Sequence, residues 1–454
     1  MLDFKNMSFE ELLKPEGYDC DCGRHHGTAV KYLKIGRGVI ENLPEALSAI
    51  GAVRPYVVCD QNTWRAAGER AVEILKKAGI DHTVYVFPAE HAVLPSEREL
   101  GVLAMRFDHR CDCVLGVGSG VINDLCKMLG FVSGRPCAIV GTAPSMDGYA
   151  SNSSAMELEG VKLTLYNNGP EAVLCDTEIM AQAPMRMLRA GFGDMIAKYI
   201  SVCEWRFAHL VRGEYYCEAV ADMMRAAVRK IMDNVDGILA RDPDAVGYVA
   251  EGLVLSGLAM AYANVSRPAS GIEHRFSHIW EMINIARGRQ LELHGIQVGI
   301  GSMLTFDLYE YIKGLKPDLE KARQAIAAFD PDAWEEKIRR IFGEVAGEVF
   351  ASAKASRQNE ADVRLAHAET ICTRWDEIRA IIEEELPEHD VIWAAARKMG
   401  IPVHPSEIDV SREDTMDAFL TTHDIRDRYI CTSLLFDLGL LDEAAEVFRK
   451  ILKK

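Results

Sequence analysis

Residues 30–175 alternate between short apolar runs and longer segments that repeat apolar residues every three or four positions. Residues 62–79 are of the second kind, and their closing glycine is typical of a helix end. The candidate strands are PYVVCD (55–60), TVYVF (83–87), CDCVLGV (111–117), CAIVGT (137–142), VKLTLY (161–166) and EAVLCD (171–176). Strands that alternate with helices indicate βαβ units, so we predict an α/β, Rossmann-like domain with a mainly parallel sheet over residues 1–176. The last two candidates fit further strands, for which a hairpin-like addition to the sheet is one arrangement.

From residue 177 onward, strand signals nearly vanish and long amphipathic or apolar helical segments dominate. Examples are MRMLRAGFGDMIAKYISVCEW (185–205), CEAVADMMRAAVRKIMDNV (217–235) and DEAAEVFRKILKK (442–454). This pattern predicts an all-helical domain over residues 177–454. Its most apolar part, residues 248–265, is long enough to cross a membrane, but it contains Glu251 and lacks positively charged flanks. We therefore expect a buried central helix there and no membrane span.

The charge of the chain narrows the classes of partner. The formal net charge is −17 and no long basic run is present, so we expect neither nucleic acid nor an anionic membrane surface as a partner. Twelve cysteines are scattered along the chain, and its first residues lack the pattern of a signal peptide. We therefore expect reduced thiols and a cytoplasmic protein.

One short segment, CDCGRHH (20–26), raises the question of a metal site because it groups Cys20, Cys22, His25 and His26. The spacing C-x-C differs from the C-x-x-C of common zinc knuckles, and no second ligand pair follows nearby. The sequence therefore favours an ordered surface loop over a metal site in this segment.

Two Gly- and Ser-rich segments follow neighbouring strand candidates. GVGSGVINDLCK (116–127) places glycines where a strand turns into a helix, and a helix N-terminus can bind an anion there. GTAPSMDGYASNSSAM (141–156) follows the CAIV strand and supplies several hydroxyl groups and one carboxylate, Asp147. The carboxyl edge of an open α/β sheet is where ligands bind, so we expect both segments to contact one ligand.

The helical half contains a carboxylate and imidazoles that could bind a cation. These residues are Asp194, His274 and His294, and His278 lies four positions after His274, on the same face of a helix. One carboxylate and two imidazoles are suitable ligands for a catalytic divalent ion. Spacing alone leaves open the alternative that each histidine is an ordinary hydrogen-bonded residue.

Several of these segments together resemble a known family. GVGSGVINDLCK is similar to the G-x-G-S-x-x-x-D-x-x-K element of the superfamily of iron-containing alcohol dehydrogenase, glycerol dehydrogenase and dehydroquinate synthase. More narrowly, the chain resembles the glycerol-1-phosphate dehydrogenase family, from DCGRHHG near its start to DIRDRY (424–429). The segments that carry this resemblance are PSMDGYASNSSA (144–155), GFGDMIAKY (191–199), EHRFSHIWEM (273–282), HGIQVGIG (294–301) and HDIRDRY (423–429).

The resemblance implies a dehydroquinate synthase-like fold and reduction of dihydroxyacetone phosphate to sn-glycerol 1-phosphate. It implies NAD or NADP and one divalent ion, either zinc, nickel or iron, as cofactors. The implied cofactor contacts are Asp60, Gly118, Ser119, Gly120, Val121, Asp124, Thr142, Ser145 and Ser151. The implied metal ligands, which form the catalytic centre, are Asp194, His274 and His294. The implied substrate contacts are Asp147, Asp194 and His278. We further expect a small phosphorylated triose or glycerol as substrate, and a homo-oligomer.

Elementary chemistry agrees with this assignment. Hydride transfer to a ketone develops negative charge on oxygen, which a cation with two neutral imidazoles and one carboxylate can stabilise. Asp60 would accept hydrogen bonds from the adenosine ribose and repel a 2′-phosphate, which favours NAD over NADP. Arg275 either reaches the substrate phosphate or lies on a helix surface, and the sequence favours the surface.

Two other activities remain open from the sequence. The first is a polyol or glycerol dehydrogenase that acts on an unphosphorylated substrate, since no phosphate-binding residue is evident from the motifs. The second is a lyase similar to dehydroquinate synthase, although few Lys or Arg residues lie near the motifs to bind its substrate.

Overall fold

The computed structural model describes residues 2–88, 92–159, 161–289 and 291–453. Its contacts divide the chain into two compact units. The first unit contains Met1–Met195 and Cys217–Ala269, and the second contains Ile196–Tyr216 and Ser270–Lys454.

The first unit is built on a six-stranded parallel sheet. The strands of the described chain are β1 (Tyr18–Asp19), β2 (His25–His26), β3 (Tyr32–Gly36), β4 (Pro55–Asp60), β5 (Thr83–Phe87), β6 (Cys113–Gly118), β7 (Cys137–Gly141), β8 (Ser153–Leu158), β9 (Val161–Tyr166) and β10 (Ala172–Asp176). The order in the sheet is β3-β10-β7-β6-β4-β5, and every neighbouring pair is parallel. Central residues such as Val57, Leu115 and Val173 are completely buried, which is usual where helices cover both faces of a parallel sheet. The predicted α/β class is confirmed.

Helices complete the first unit. They are α1 (Phe9–Leu12), α2 (Leu43–Ala49), α3 (Gln61–Thr63), α4 (Glu69–Lys77), α5 (Glu97–Arg106), α6 (Gly120–Ser133), α7 (Thr177–Ala181), the first part of α8 (Met185–Arg212), α9 (Glu218–Met232), α10 (Val235–Leu239) and α11 (Pro243–Ala263). Helix α11 is the one described helix that is long and apolar enough to cross a membrane. Most of it is buried within this unit, as expected for a central core helix.

The arrangement of the last strands differs from the hairpin considered above. Strand β9 pairs antiparallel with β8, whereas β10 lies in the main sheet between β3 and β7. The sequence pattern accounts for the difference. VKLTLY alternates apolar and polar residues, as a half-exposed antiparallel strand does, while AVLCD is continuously apolar, as a buried parallel strand is. Strand β8 was not predicted because its residues SSAMEL continue a Ser-rich segment.

The described residues of the second unit form helices and loops and no strand. Its helices are the remainder of α8, then α12 (Ile272–Ala286), α13 (His294–Lys313), α14 (Leu319–Ala327), α15 (Pro331–Phe342), α16 (Ala346–Ser356), α17 (Ala361–Thr373), α18 (Trp375–Glu385), α19 (His389–Met399), α20 (Arg412–Thr421), α21 (Cys431–Asp437) and α22 (Leu441–Ile451). Strands end at Asp176, the residue where the sequence pattern changes. The compact units do not follow that boundary, because residues 217–269 group with the sheet.

Candidate functional site

The parallel sheet has a switch point between β4 and β6, which are neighbours. Strand β4 connects to β5 on one side, and β6 connects to β7 on the other. Crevices outside such switch points are where open α/β sheets bind nucleotides. The ladder pairs Val58 with Gly116, so Asp60 and Gly118 lie two residues further along adjacent strands. Two residues that sequence analysis assigned to the cofactor therefore end the two strands that border the switch point.

The turn from β6 into α6 has the form of an anion-binding helix start. Ser119 is the N-cap, and the helix begins at Gly120 and continues for 14 residues, so Gly120 and Val121 contribute first-turn amides. A Cβ on Gly118 would lie 2.5 Å from Cβ of Ile122, so only glycine allows the helix to start this close to the strand. A Cβ on Gly120 would meet only the flexible Met146 side chain, at 3.1 Å.

The structure brings the two Gly- and Ser-rich segments together. The Ser119 and Ser145 hydroxyl oxygens are 2.6 Å apart, and the backbone N–H of Thr142 donates to the Gly118 carbonyl at 3.1 Å. The two segments are therefore neighbours, and a shared ligand stays a prediction.

Lys127, which was not assigned a role above, holds the segment 141–156 in place through hydrogen bonds. Its ammonium group is buried and donates to the Gly148 carbonyl at 3.0 Å and to the Ser151 hydroxyl at 3.2 Å. Asp124 forms an ion pair with it at 3.1 Å and accepts from the Ala155 backbone N–H at 3.2 Å. Asp124 and Ser151 thus hold the loop in shape. The signal in the sequence is the D-x-x-K spacing, which places both side chains on one side of α6.

Asp60 also has a local structural task. It caps the short helix α3 by accepting from the backbone N–H of Thr63 at 2.8 Å, while the Thr63 hydroxyl accepts from the Asp60 backbone N–H. One carboxylate oxygen makes this bond, and the residue remains partly exposed at the strand end.

Asp147 and Asp194 are neighbours in the first unit. The backbone N–H of Asp147 donates to Oδ2 of Asp194 at 3.0 Å, and the Ser256 hydroxyl donates to Oδ2 of Asp147 at 2.9 Å. Asp194 is completely buried on α8. Ser256 was not predicted, because it lies in the apolar run of α11.

Two glycines explain how the loop that carries Asp147 fits against the helices. A Cβ on Gly191, in the GFGD segment of α8, would clash with the Pro144 carbonyl. A Cβ on Gly257, on α11, would lie 3.0 Å from the Ala150 backbone. The loop backbone is thus packed directly on two helices, which fixes the position of Asp147.

In the second unit, three histidines of α12 and α13 form a cluster. The ring centroids of His274 and His294 are 5.3 Å apart, and those of His278 and His294 are 6.0 Å apart. Two imidazoles on one tetrahedral ion, with metal–nitrogen bonds of about 2.0–2.1 Å, have centroids about 5 Å apart. Helix α13 packs closely on α12 because a Cβ on Gly301 would lie 2.7 Å from the Glu273 carbonyl oxygen.

A neighbouring carboxylate sets the tautomer of the His274 ring. Nδ1 of His274 lies 2.8 Å from Oε1 of Glu273, which also accepts from the backbone N–H of Gly271 at 2.6 Å. A carboxylate that accepts from Nδ1–H leaves the lone pair of the ring on Nε2, the arrangement common in metal ligands. Burial raises the pKa of Glu273 to about 7, and the Gly271 N–H favours its ionised form. Nδ1 of His294 lies 3.2 Å from the Ser277 hydroxyl.

His278 is suited to contact a substrate as a neutral ring. It lies about one turn from Glu281, with Nδ1 3.7 Å from Oε2, and 21% of its side chain is exposed. Burial is the main cause that lowers its pKa well below the usual value, and the positive charge of Arg426 contributes. Arg426 belongs to the DIRDRY segment, so the structure places this segment near the histidine cluster.

Arg275 is buried, contrary to the expectation from the sequence. The sequence favoured a helix surface for it, but only 1% of the residue is exposed. Its place on α12, next to buried Ile272 and Phe276, brings it into the interior of the second unit.

Comparisons with known proteins identify the family of the chain. The sequence profile of the family described as iron-containing alcohol dehydrogenase matches residues 34–184. A glycerol-1-phosphate dehydrogenase (NAD(P)+) of Halalkalibacterium halodurans is 36% identical over 295 residues, 64% of this chain and 74% of that protein. The protein of the same name from Bacillus licheniformis is 29% identical over 93% of both chains.

Solved structures share the fold. A probable glycerol dehydrogenase from Sinorhizobium meliloti superposes with a TM-score of 0.59 at 17% identity, covering 93% of this chain and 98% of that one. The sulfoacetaldehyde reductase from Bifidobacterium kashiwanohense, solved in complex with NAD+, gives 0.57 at 14% identity and covers 93% and 99%. These sequence relatives show that the chain belongs to the glycerol-1-phosphate dehydrogenase family and is an NAD(P)-dependent dehydrogenase.

Proposed function

We propose that the protein reduces dihydroxyacetone phosphate to sn-glycerol 1-phosphate with NADH, at one divalent cation bound by Asp194, His274 and His294. The observation that carries the proposal is the histidine cluster of α12 and α13. The rings of His274 and His294 lie 5.3 Å apart, and Glu273 orients His274 through Nδ1. A bound cation polarises the ketone oxygen and stabilises the alkoxide that develops during hydride transfer. Zinc, nickel and iron all accept two imidazoles and a carboxylate.

The residues of the first unit support cofactor binding. The first-turn amides of α6 and the Ser119 hydroxyl would bind the pyrophosphate, since Gly118 and Gly120 leave the backbone uncovered. Thr142, Ser145 and Ser151 would line the remaining contacts. Asp60, at the end of β4, would accept from the ribose hydroxyls and so favour NADH over NADPH.

The residues near the histidine cluster support a phosphorylated substrate. A neutral His278 can donate to a phosphate or hydroxyl oxygen, and the positive charge of Arg426 is close enough to lower its pKa. A positively charged side chain such as Arg426 offsets, near the substrate, the net charge of −17 of the chain, which otherwise repels anionic substrates. Asp147, fixed by Ser256 and its own backbone bond to Asp194, would accept from a substrate hydroxyl.

The test combines metal analysis with turnover. His294→Ala should lose one equivalent of bound metal per chain and cost orders of magnitude in kcat, whereas His278→Ala should keep its metal and lose mainly kcat/KM. His389→Ala is the control, because that histidine pairs with Asp307 on α13 and belongs to none of the proposed contacts. Full metal and full activity in His294→Ala would overturn the proposed centre.

The substrate class is tested separately. Rates with dihydroxyacetone phosphate and with dihydroxyacetone are compared in the wild type and in Arg426→Gln. We expect Arg426→Gln to reduce kcat/KM for the phosphorylated substrate by about tenfold or more, as for a lost charge-assisted hydrogen bond of about 1.5–3 kcal/mol. The rate with dihydroxyacetone should change little. A wild type that prefers dihydroxyacetone would instead support the polyol dehydrogenase alternative.

A further inference from the structure

We propose that Cys20, Cys22, His26 and Cys217 bind one structural zinc ion in the first unit. The three Sγ atoms and one ring nitrogen of these residues all lie within 4.8 Å of one another. Three thiolates and one imidazole are a frequent ligand set of structural zinc. None of the four residues belongs to the contacts proposed for cofactor, substrate or catalytic metal.

The separations of the ligand atoms match a tetrahedron around zinc. With Zn–S bonds of about 2.3 Å and Zn–N bonds of about 2.0–2.1 Å, two sulfurs lie about 3.8 Å apart, and a sulfur and a nitrogen about 3.6 Å apart. In the structure, Sγ of Cys20 and Sγ of Cys217 are 3.8 Å apart. Nε2 of His26 is 3.4 Å from Sγ of Cys22 and 3.5 Å from Sγ of Cys217.

The local fold brings three of the ligands onto one hairpin. Strands β1 and β2 pair antiparallel, and Cys20 and Cys22 lie in the turn between them. The turn is closed by Gly23, whose φ of +82° suits glycine and whose N–H donates to the Cys20 carbonyl at 2.9 Å. His26 ends the second strand and points to the interior, with no exposed surface.

The fourth ligand comes from a distant part of the chain. Cys217 is the N-cap of α9 and is 1% exposed. This position lies at the positive end of the helix dipole. His26 and Cys217 are 191 positions apart in the sequence, which explains why sequence analysis found no second ligand pair near the CDCGRHH segment.

Surrounding groups orient His26 for metal binding through Nε2. Its Nδ1 lies 2.8 Å from the Tyr262 carbonyl oxygen, which can only accept, so the proton is on Nδ1 and the lone pair is on Nε2. The Arg24 guanidinium donates to the Ala263 carbonyl at 2.8 Å and ties the same hairpin to the end of α11. His25 takes no part, since its ring is exposed and pairs with Asp19 at 2.9 Å.

The proposed ion would fasten the start of the chain to the rest of the first unit. Its four ligands join the β1–β2 hairpin to α9. The hydrogen bond between His26 and the Tyr262 carbonyl joins the same hairpin to α11. Four protein ligands leave no open position for substrate, so the role is structural. A disulfide between Cys20 and Cys217 is the competing arrangement, but it needs its sulfurs about 2.05 Å apart.

Cobalt substitution provides the first test on the full-length protein. The proposed catalytic centre contains no thiolate, so thiolate-to-cobalt charge-transfer absorption would report this site alone. We expect the wild type grown with Co²⁺ to show that absorption together with the intense d–d bands of tetrahedral Co²⁺. Absence of charge-transfer absorption in protein that holds two equivalents of cobalt per chain and no zinc would overturn the proposal.

Variants provide the second test. Zinc per chain, measured by mass spectrometry, should fall by one equivalent in Cys217→Ser and in Cys22→Ser, with a lower Tm. Cys372→Ser, which changes a partly exposed thiol of α17, is the matched control and should keep its zinc. Unchanged zinc in both site variants, or a Cys20–Cys217 disulfide in protein purified anaerobically, would overturn the proposal. If Cys217→Ser does not fold, Cys22→Ser and the cobalt spectrum still decide.

Discussion

At the scale of single residues, the candidate ligands depend on neighbours that fix which ring nitrogen carries the proton. Nδ1 of His26 lies 2.8 Å from the Tyr262 carbonyl, and Nδ1 of His274 lies 2.8 Å from Glu273. Each partner places the lone pair on Nε2 without restricting access to it. Such partners strengthen metal binding, because they set both the basicity and the orientation of the ring.

Glu273 is therefore a positioning residue whose effect can be measured. Glu273→Gln keeps the size of the side chain but removes the negative charge next to Nδ1 of His274. We expect the affinity for the catalytic cation to fall about 10–100-fold, with the Kd for NADH unchanged. The measurement is a metal titration of chelated protein, followed by bound metal and turnover. Glu310→Gln, on the exposed side of α13, is the control, and equal metal affinity in both variants would remove Glu273 from this role.

Asp60 is expected to set the preference between NADH and NADPH. Asp60→Ser removes the carboxylate but keeps an N-cap side chain for α3, so the fold should be retained. The ratio of kcat/KM for NADH to that for NADPH should fall, because repulsion of the 2′-phosphate is lost. Thr63→Ala removes the reciprocal hydroxyl of the cap but keeps the carboxylate, so it should leave the ratio unchanged. A ratio that does not move in Asp60→Ser would place this residue outside the cofactor site.

At the scale of elements, glycines decide how closely a loop and a helix pack. Gly191→Ala should destabilise the protein by about 1–3 kcal/mol through overpacking, because its Cβ meets the Pro144 carbonyl. The same change at Gly101, in the middle of α5, meets nothing within 4 Å and should stabilise by about 0.5–1 kcal/mol. Chemical denaturation compares the two variants. Because the Pro144 segment carries Asp147, Gly191→Ala should also lower kcat, and equal stability of both variants would contradict the packing described here.

The start of α6 gives a second prediction for an element. Gly120→Val should raise the Kd for NADH strongly, because a β-branched side chain covers the first-turn amides. The protein should still fold, since the nearest atoms belong to the flexible Met146 side chain. Calorimetry with NADH measures the effect. Near-normal binding by folded Gly120→Val would mean that the pyrophosphate binds elsewhere.

Strands and helices with a clear hydrophobic pattern could be predicted from the sequence. Features that depend on contacts with distant parts of the chain could not. The strands PYVVCD and CAIVG and the helix that carries His274 and His278 follow directly from their patterns. The position of β10 between β3 and β7 depends on which strands remain unpaired, which no local pattern records. The buried Lys127 and Arg275 were missed for the same reason, since their environment is built from other segments.

At the scale of the whole molecule, the proposed contacts are distributed between the units, because the cofactor loops belong to the first and the three clustered histidines to the second. Removal of the catalytic cation should therefore abolish turnover and leave NADH binding nearly unchanged.

The two proposed metal sites also differ in the number of their protein ligands. The site at Cys20, Cys22, His26 and Cys217 has four protein ligands, whereas the catalytic site has three and keeps a position for substrate. A mild chelator should thus release one equivalent of metal together with activity, and a second equivalent only with thiol modification or unfolding. Metal release, turnover and NADH fluorescence are followed on the same sample, and one divalent metal added back should restore turnover. Loss of NADH binding in parallel with the first equivalent would contradict the separation of roles proposed here.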